Sequence, residues 1–385
     1  MPTERIRAAI NCLSLSSGGG ITYMVNLLPA LGKIDRENRY LILVTPRNAR
    51  FIPALPDNFE TIVVGIPLGS NILRGGYEQC LLPSRLRREN VDLLYSPADL
   101  TPLRSRTPVV LAMRNPNLYG GRDREWSLPN RFRIGLLKFM ARRAGRKADK
   151  IIFVSASSRD AIAERLGLPL DRCAVVHHGI DARLFAEPAA AALPPEIPER
   201  CLLSISTIYH YKNFLRLLEA YLSLLRENRP PPPPLVIAGG NADEPYYRQM
   251  LSFIERHGLR EKIVLPGNIP YPSIPALYAR AEAFVFPSRL ETFGHPSLEA
   301  MAAGVPVAAA DIPVMREILG PAALYFSPDR AGEIAGCIRE LLDDGERRRE
   351  LIARGRERVL QFTWERSARE TLAIFRETAR RRQEP

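Results

Sequence analysis

Short β-branched and apolar runs alternate with longer segments of helical period along the 385-residue chain. The strand-like runs of the first half are "AAINCLSL", "RYLILVT", "TIVVG", "VDLLYS", "PVVLAM", "KIIFVS" and "CAVVHHG". Those of the second half are "RCLLSIS", "PLVIAGG", "KIVLPG", "AFVFPS", "VPVAAA" and "AALYFS". Segments such as "NFLRLLEAYLSLLRE" and "AGEIAGCIRELLDDGERRRELIARGRERVLQF" lie between them with apolar residues at helical spacing. Continuous apolar strands separated by helices imply parallel sheets covered on both faces. Each half has enough strands for its own doubly wound sheet, and the length exceeds one ordinary core. The pattern predicts an α/β protein of two such domains.

The Ala/Pro-rich run "DARLFAEPAAAALPPEIPER", 181–200, has neither period and reads as the join. The expected division is a first domain over 1–183, a linker over 184–199 and a second domain over 200–362. A last amphipathic helix follows, N-capped by Thr363, over 363–385. "RPPPPPL", 229–235, is a stiff polyproline loop before a strand.

Composition adds limits. With 46% hydrophobic and 25% charged residues the chain reads as soluble and globular. The longest apolar runs, such as "AMAAGVPVAAA", are too short to span a bilayer, and the N-terminus shows no cleavable signal pattern. Five scattered cysteines without a CxxC spacing point to a reducing cytoplasm. Charge is uneven: residues 1–185 carry 28 Lys/Arg against 16 Asp/Glu, a surplus of 12, while residues 186–385 carry 26 of each. A basic half of this kind suits nucleic acid, an anionic membrane or a phosphorylated acceptor. No nucleic-acid-reading motif accompanies it, so a nucleic-acid partner is not expected.

The densest polar chemistry is "ETFGHPSLE", Glu291 to Glu299, after the strand run "AFVFPS". In open parallel sheets, ligands bind where strands end and helices begin. Pro296 suits a first helical turn and Gly304 its C-terminal cap. The amides of Phe293 and Gly294 would then face an anion, and Glu299 would lie in the first turn, able to accept ligand hydroxyls. A capped helix carrying two surface glutamates is the plain alternative.

The run "SRLETFGHPSLEAMAAGVPVAAAD" resembles the signature of the retaining, nucleotide-sugar-dependent glycosyltransferases of family 4, which have the GT-B fold of two Rossmann-like domains facing a cleft. The resemblance implies that Glu291 contacts the donor sugar, that Glu299 holds the nucleotide ribose, and that the Phe293 and Gly294 amides face sugar or phosphate. "CLLSISTIYHYKNFLRLLEAY" resembles the opening of the family's second domain. There Lys212 would neutralise the donor diphosphate with Asn213 beside it; the family's arginine is missing, so the clamp is weaker by one guanidinium or His210 stands in for it. "SLSSGGGITYMVNLL" resembles the N-terminal glycine loop, placing Gly19 and Gly20 beside phosphates and acceptor. As a dinucleotide fingerprint that loop fails, because Tyr23 occupies the third glycine position. Where relatives carry a His-Asp pair this chain has Arg114-Asn115, of which Asn115 could bond a sugar hydroxyl. His178-Gly179 stands where relatives have Asn-Gly and reads as a turn.

No D-x-D triplet occurs to hold a divalent metal on a diphosphate, so metal-independent transfer without a further cofactor is expected, from a UDP- or GDP-sugar. The last helix is expected to return to the first domain. "RFRIGLLKFMARRAGRKADK", 131–150, holds eight basic residues against one acidic, interleaved with Phe132, Leu136, Leu137, Phe139 and Met140. Such a helix can lie on anionic lipid, or can simply pack one side on the sheet. The reading is then a cytoplasmic hexosyltransferase, docked on the inner membrane face, acting on a glycan or lipid-diphosphate-linked acceptor of the cell envelope. A basic nucleic-acid-binding protein and a sugar-nucleotide epimerase or phosphorylase of the same fold are its rivals.

Overall fold

The computed structural model describes residues 5–15, 19–66, 71–120, 128–186, 192–227 and 229–380. Two compact units divide the chain: Met1–Gly179 with Thr363–Pro385, and Ile180–Phe362.

The first unit holds seven parallel strands, one in each of the seven apolar runs. They are β1 (Arg7–Asn11), β2 (Arg39–Val44), β3 (Phe59–Val63), β4 (Leu93–Ser96), β5 (Val109–Met113), β6 (Lys150–Phe153) and β7 (Cys173–Val175), in the order β3-β2-β1-β4-β5-β6-β7. Successive residues of the inner strands enter opposite cores, as the period of two requires, while on the edge strand β3 Glu60, Thr61 and Val63 are exposed. Ala8, Ile10, Ile42 and Val110 face the helices Gly19–Ile34 and Trp364–Arg380, meeting Leu27, Leu31 and Phe375. Ala9, Leu41, Leu43 and Leu111 face the helices Leu82–Arg88, Leu128–Lys147 and Ala156–Leu166, meeting Leu86, Ala144 and Ile162. The final helix thus completes the first unit's sheet cover, starting at Thr363, whose Oγ1 accepts from the Arg366 amide at 3.2 Å.

The second unit holds six parallel strands, again one per apolar run. They are β8 (Cys201–Ile205), β9 (Leu235–Ala238), β10 (Ile263–Val264), β11 (Ala281–Phe286), β12 (Val307–Ala310) and β13 (Ala323–Phe326), ordered β10-β9-β8-β11-β12-β13. The helix Phe214–Leu225 buries Phe214, Leu217, Leu218, Tyr221 and Leu224, the stripe its spacing predicts. The single helical period read over 331–362 is in fact two helices, Ala331–Asp343 and Gly345–Val359. Asp344 ends the first in extended conformation and caps the second, accepting from the Arg347 amide at 2.8 Å.

In both sheets the strand order reverses once: beside β1 and β4 in the first unit, beside β8 and β11 in the second. Loops leaving two such strands diverge and open a crevice at the strands' C-terminal ends.

Candidate active site of the second unit

The loops after β8 and β11 carry the sequence-expected residues to one place. After β8 the chain makes a 3-10 turn, His210–Lys212, and Asn213 takes a left-handed conformation, φ +64°, before the helix Phe214–Leu225 begins. The Lys212 ammonium forms an ion pair with Glu291 Oε1, although the two residues are 79 positions apart. Both side chains are about nine-tenths buried, and the Lys212 Nζ lies 5.4 Å from the Tyr211 ring centroid and 5.7 Å from that of Phe286. A buried ion pair is costly to desolvate and costlier to break.

Asn213 was expected at the donor. Its amide nitrogen instead donates to the Pro287 carbonyl at 3.1 Å and the Pro328 carbonyl at 2.7 Å. One buried side chain therefore stitches the loop after β8 to those after β11 and β13, and both its N–H groups are spent on that frame. The Arg289 amide adds a bond to the Tyr211 carbonyl at 2.9 Å. His210 likewise serves a neighbour: its Nδ1 meets Asp243 Oδ2 at 2.9 Å, and Asp243 also accepts from the His210 amide at 3.2 Å. The histidine is buried against that carboxylate, not extended like the guanidinium it was expected to replace.

Glu291 and Thr292 are each 8% exposed, and Phe293 packs its ring against His295 at 4.9 Å and Phe362 at 5.8 Å. Gly294 turns the chain at φ +88° into the helix His295–Ala302. A Cβ there would meet the Met315 methyl, the movable end of a flexible side chain, so it is the conformation that calls for glycine. Because the helix begins at His295, Glu299 sits in its second turn, not the first. The macrodipole therefore does little for it. Gly304 follows the helix at φ +74°, as expected.

Glu299 is 6% exposed, and burial raises its carboxyl to about 7. The Tyr278 hydroxyl faces both the Pro296 carbonyl, at 2.8 Å, and Glu299 Oε2, at 3.1 Å. One phenol proton cannot fully serve two acceptors, so a proton held by Glu299 fits this arrangement. Sequence reasoning missed Tyr278, which stands in an ordinary apolar helix, Ile274–Ala279. It also missed Asp243, although an aspartate before Glu244-Pro245 is a legible helix N-cap.

Gly19 and Gly20 belong to the other unit and open its first helix, Gly19–Ile34, after β1; Gly18 lies outside the described residues. A Cβ on Gly19 would meet nothing within 4 Å, so the fold alone does not demand glycine there. Asn115, expected at a sugar hydroxyl, caps the turn Pro116–Leu118, its Oδ1 accepting from the Asn117 amide at 3.0 Å.

With this geometry in place, comparison with known proteins is direct. The family model for glycosyl transferases group 1 matches residues 191–358, and that for glycosyltransferase family 4 matches residues 17–184. The chain is 32% identical to O-antigen chain mannosyltransferase B of Escherichia coli over 236 residues, 60% of this chain and 61% of that protein. It spans between about a quarter and six-tenths of the length of the curated relatives it matches. In structure it resembles sucrose-phosphate synthase of Thermosynechococcus elongatus, with TM-score 0.76 and 19% identity over 97% of this chain and 99% of that one. It also resembles Anabaena Alr3699/HepE, solved with UDP and glucose, with TM-score 0.72 and 18% identity over 96% and 99%. Family models cover both halves in order, two parallel α/β sheets carry them, and the chain belongs to the family-4 glycosyltransferases of GT-B fold.

Proposed function

We propose that the protein transfers a hexose, such as mannose or glucose, from a UDP- or GDP-sugar to a glycan or lipid-linked acceptor in cell-envelope polysaccharide synthesis. The observation that carries this reading is the buried Lys212–Glu291 pair at the crevice between β8 and β11. Glu291 would accept hydroxyls of the donor sugar. Lys212 would take up charge on the leaving diphosphate as the C1–O bond breaks, where a pre-placed cation lowers the barrier. Glu299 would accept the ribose hydroxyls, and the Phe293–Gly294 turn would approach the phosphates. The acceptor oxygen bonds to C1 on the face the phosphate leaves, and its proton passes to the leaving phosphate oxygen, so configuration is retained. Charge compensation by Lys212 and backbone amides makes the reaction independent of a divalent metal. The O-antigen mannosyltransferase relative supports the polysaccharide setting, and the UDP-bound structural neighbour supports a nucleotide donor.

We further infer a working place on an anionic inner membrane surface. No described helix is long and apolar enough to cross a membrane. The helix Leu128–Lys147, however, has two apolar sides. Ala141 and Ala144 are buried on the sheet and Ile134 is buried too, while Phe132 (77% exposed), Leu136 (52%) and Phe139 (54%) face outward among the exposed Arg131, Arg133, Arg142 and Arg143. Packing on the sheet accounts for the first side only.

Nucleotide titration with a transfer assay tests the reading. At 100 times its dissociation constant the matching nucleoside diphosphate should stabilise the fold by about 2.7 kcal/mol, a rise of roughly 5–10 °C in Tm. Glu291→Gln should keep that shift and lose at least a hundredfold in transfer, with EDTA leaving the wild type unaffected. Full activity in Glu291→Gln, or loss on chelation with recovery on Mn²⁺, overturns it.

A further inference from the structure

The first unit has its own crevice beside β1 and β4, and the chain that covers it is unusual. "NILRGGYEQCLLPSRLRRE" forms the helices Asn71–Gly76 and Leu82–Arg88, joined by a π-helical turn, Tyr77–Leu81. Pro83 supplies the cause: it has no N–H for the Gln79 carbonyl and would clash with it in a regular helix, so the preceding turn widens and the Leu82 amide reaches back to the Tyr77 carbonyl. Such widened turns recur at functional sites because they re-aim side chains.

Here the turn aims two residues at the ends of the strands. Gln79 locks the loop after β4, its amide nitrogen donating to the Thr101 carbonyl at 3.1 Å while its Oε1 accepts from the Leu103 amide at 3.0 Å. Glu78 Oε1 accepts from Nδ2 of Asn11, the buried last residue of β1, at 2.9 Å. Its other oxygen, Oε2, has only the Arg74 Nε at 3.9 Å, beyond hydrogen-bond length. Arg74 Nε is buried without a hydrogen-bond partner among the described residues. Burial raises the Glu78 carboxyl above its ordinary value, the Asn11 bond opposing this in part.

A carboxylate with a free oxygen and a guanidinium therefore stand side by side, with side chains 12% and 25% exposed and with unfilled bonding capacity. A tie between helix and strand would use only the Asn11 bond and would gain nothing by holding a charge there. An anion would be repelled by Glu78, and a divalent cation by Arg74. Adjacent sugar hydroxyls fit, since one donates to Oε2 while its neighbour accepts from the partly exposed Arg74 guanidinium. We propose that Glu78, Arg74 and Asn11 form a carbohydrate-hydroxyl site on the first unit that holds the acceptor sugar. The site rests on the glycosyl-transfer reading for its role, but not for its chemistry.

Saturation-transfer NMR on the full chain tests it, with methyl α-mannopyranoside, methyl α-glucopyranoside and the corresponding disaccharides as probes. Wild type should show transfer to at least one probe. Glu78→Gln, which keeps the Asn11 bond, should reduce that signal at least fivefold without lowering Tm at pH 7. Arg74→Met should do the same by removing the other half of the pair. Undiminished signal in both variants, or no signal from wild type with any probe, overturns the site. A fall in Tm with undiminished glycoside binding assigns Glu78 a structural tie and also overturns it. The UDP and GDP shifts, read on the same samples, should be equal in wild type and variants. Their absence would sink the donor reading while leaving the glycoside result to stand on its own.

Discussion

Glu299 holds its carboxyl beneath the helix His295–Ala302, where burial brings it to about 7. The unfolded chain ionises this group near 4.5. Between those values the folded state binds the extra proton, so its contribution to stability is full below pH 4.5 and is lost as pH rises through 7. The difference amounts to about 3 kcal/mol, at 1.4 kcal/mol per unit. Hydroxyl donors from a ribose would favour the ionised form and release that proton on binding. A nucleotide sugar has no titrating phosphate in this range, so calorimetry in buffers of different ionisation enthalpy should record proton release at pH 6.5 and tighter binding at pH 8. Glu299→Gln should abolish both. Binding without proton exchange in the wild type would remove Glu299 from the ribose.

At the scale of elements, the site is an agreement among loops that follow separate strands. Asn213 ties three of them through two buried hydrogen bonds and holds φ +64°, a conformation asparagine tolerates better than most residues. Asn213→Ala should cost at least about 3 kcal/mol, from two carbonyls that lose their donor at about 1 kcal/mol or more each and a strained backbone at about 1 kcal/mol or more. Chemical denaturation measures that loss. Nucleotide-sugar binding should weaken together with stability, because Lys212 is the neighbouring residue. A variant with unchanged midpoint would show that the stitching is dispensable.

For the whole molecule, charge follows the units. Residues 1–179 with 363–385 carry 33 Lys/Arg against 19 Asp/Glu, a net +14, whereas residues 180–362 carry 21 against 23, a net −2. A basic unit that also exposes Phe132, Leu136 and Phe139 should bind vesicles containing phosphatidylglycerol at low salt and ignore neutral phosphatidylcholine. Each deeply inserted aromatic or leucine side chain contributes about 1.5–3 kcal/mol, so replacing all three by serine should cut vesicle binding at least tenfold. Cosedimentation reads this directly, and equal binding by the triple variant would leave only a diffuse charge effect. The basic surplus was legible from counting. The outward apolar side was not, because Leu137 and Phe139 look alike in a row of residues until the sheet takes one of them.

The thirteen strands of the described residues, the two sheets and the helix start within "ETFGHPSLE" were written in the sequence, because strand period, apolar run length and helix-start residues are local properties. Tertiary structure decided which side chains serve the site and which serve its frame. Asn213 and His210 stand close to Lys212 in the chain, yet their partners, Pro287, Pro328 and Asp243, come from loops 33 to 115 residues away. Tyr278 meets Glu299, and Glu78 meets Asn11, only because parallel strands bring their ends together. A hydrogen bond depends on position in space, and sequence distance carries no information about it until the sheet order is known.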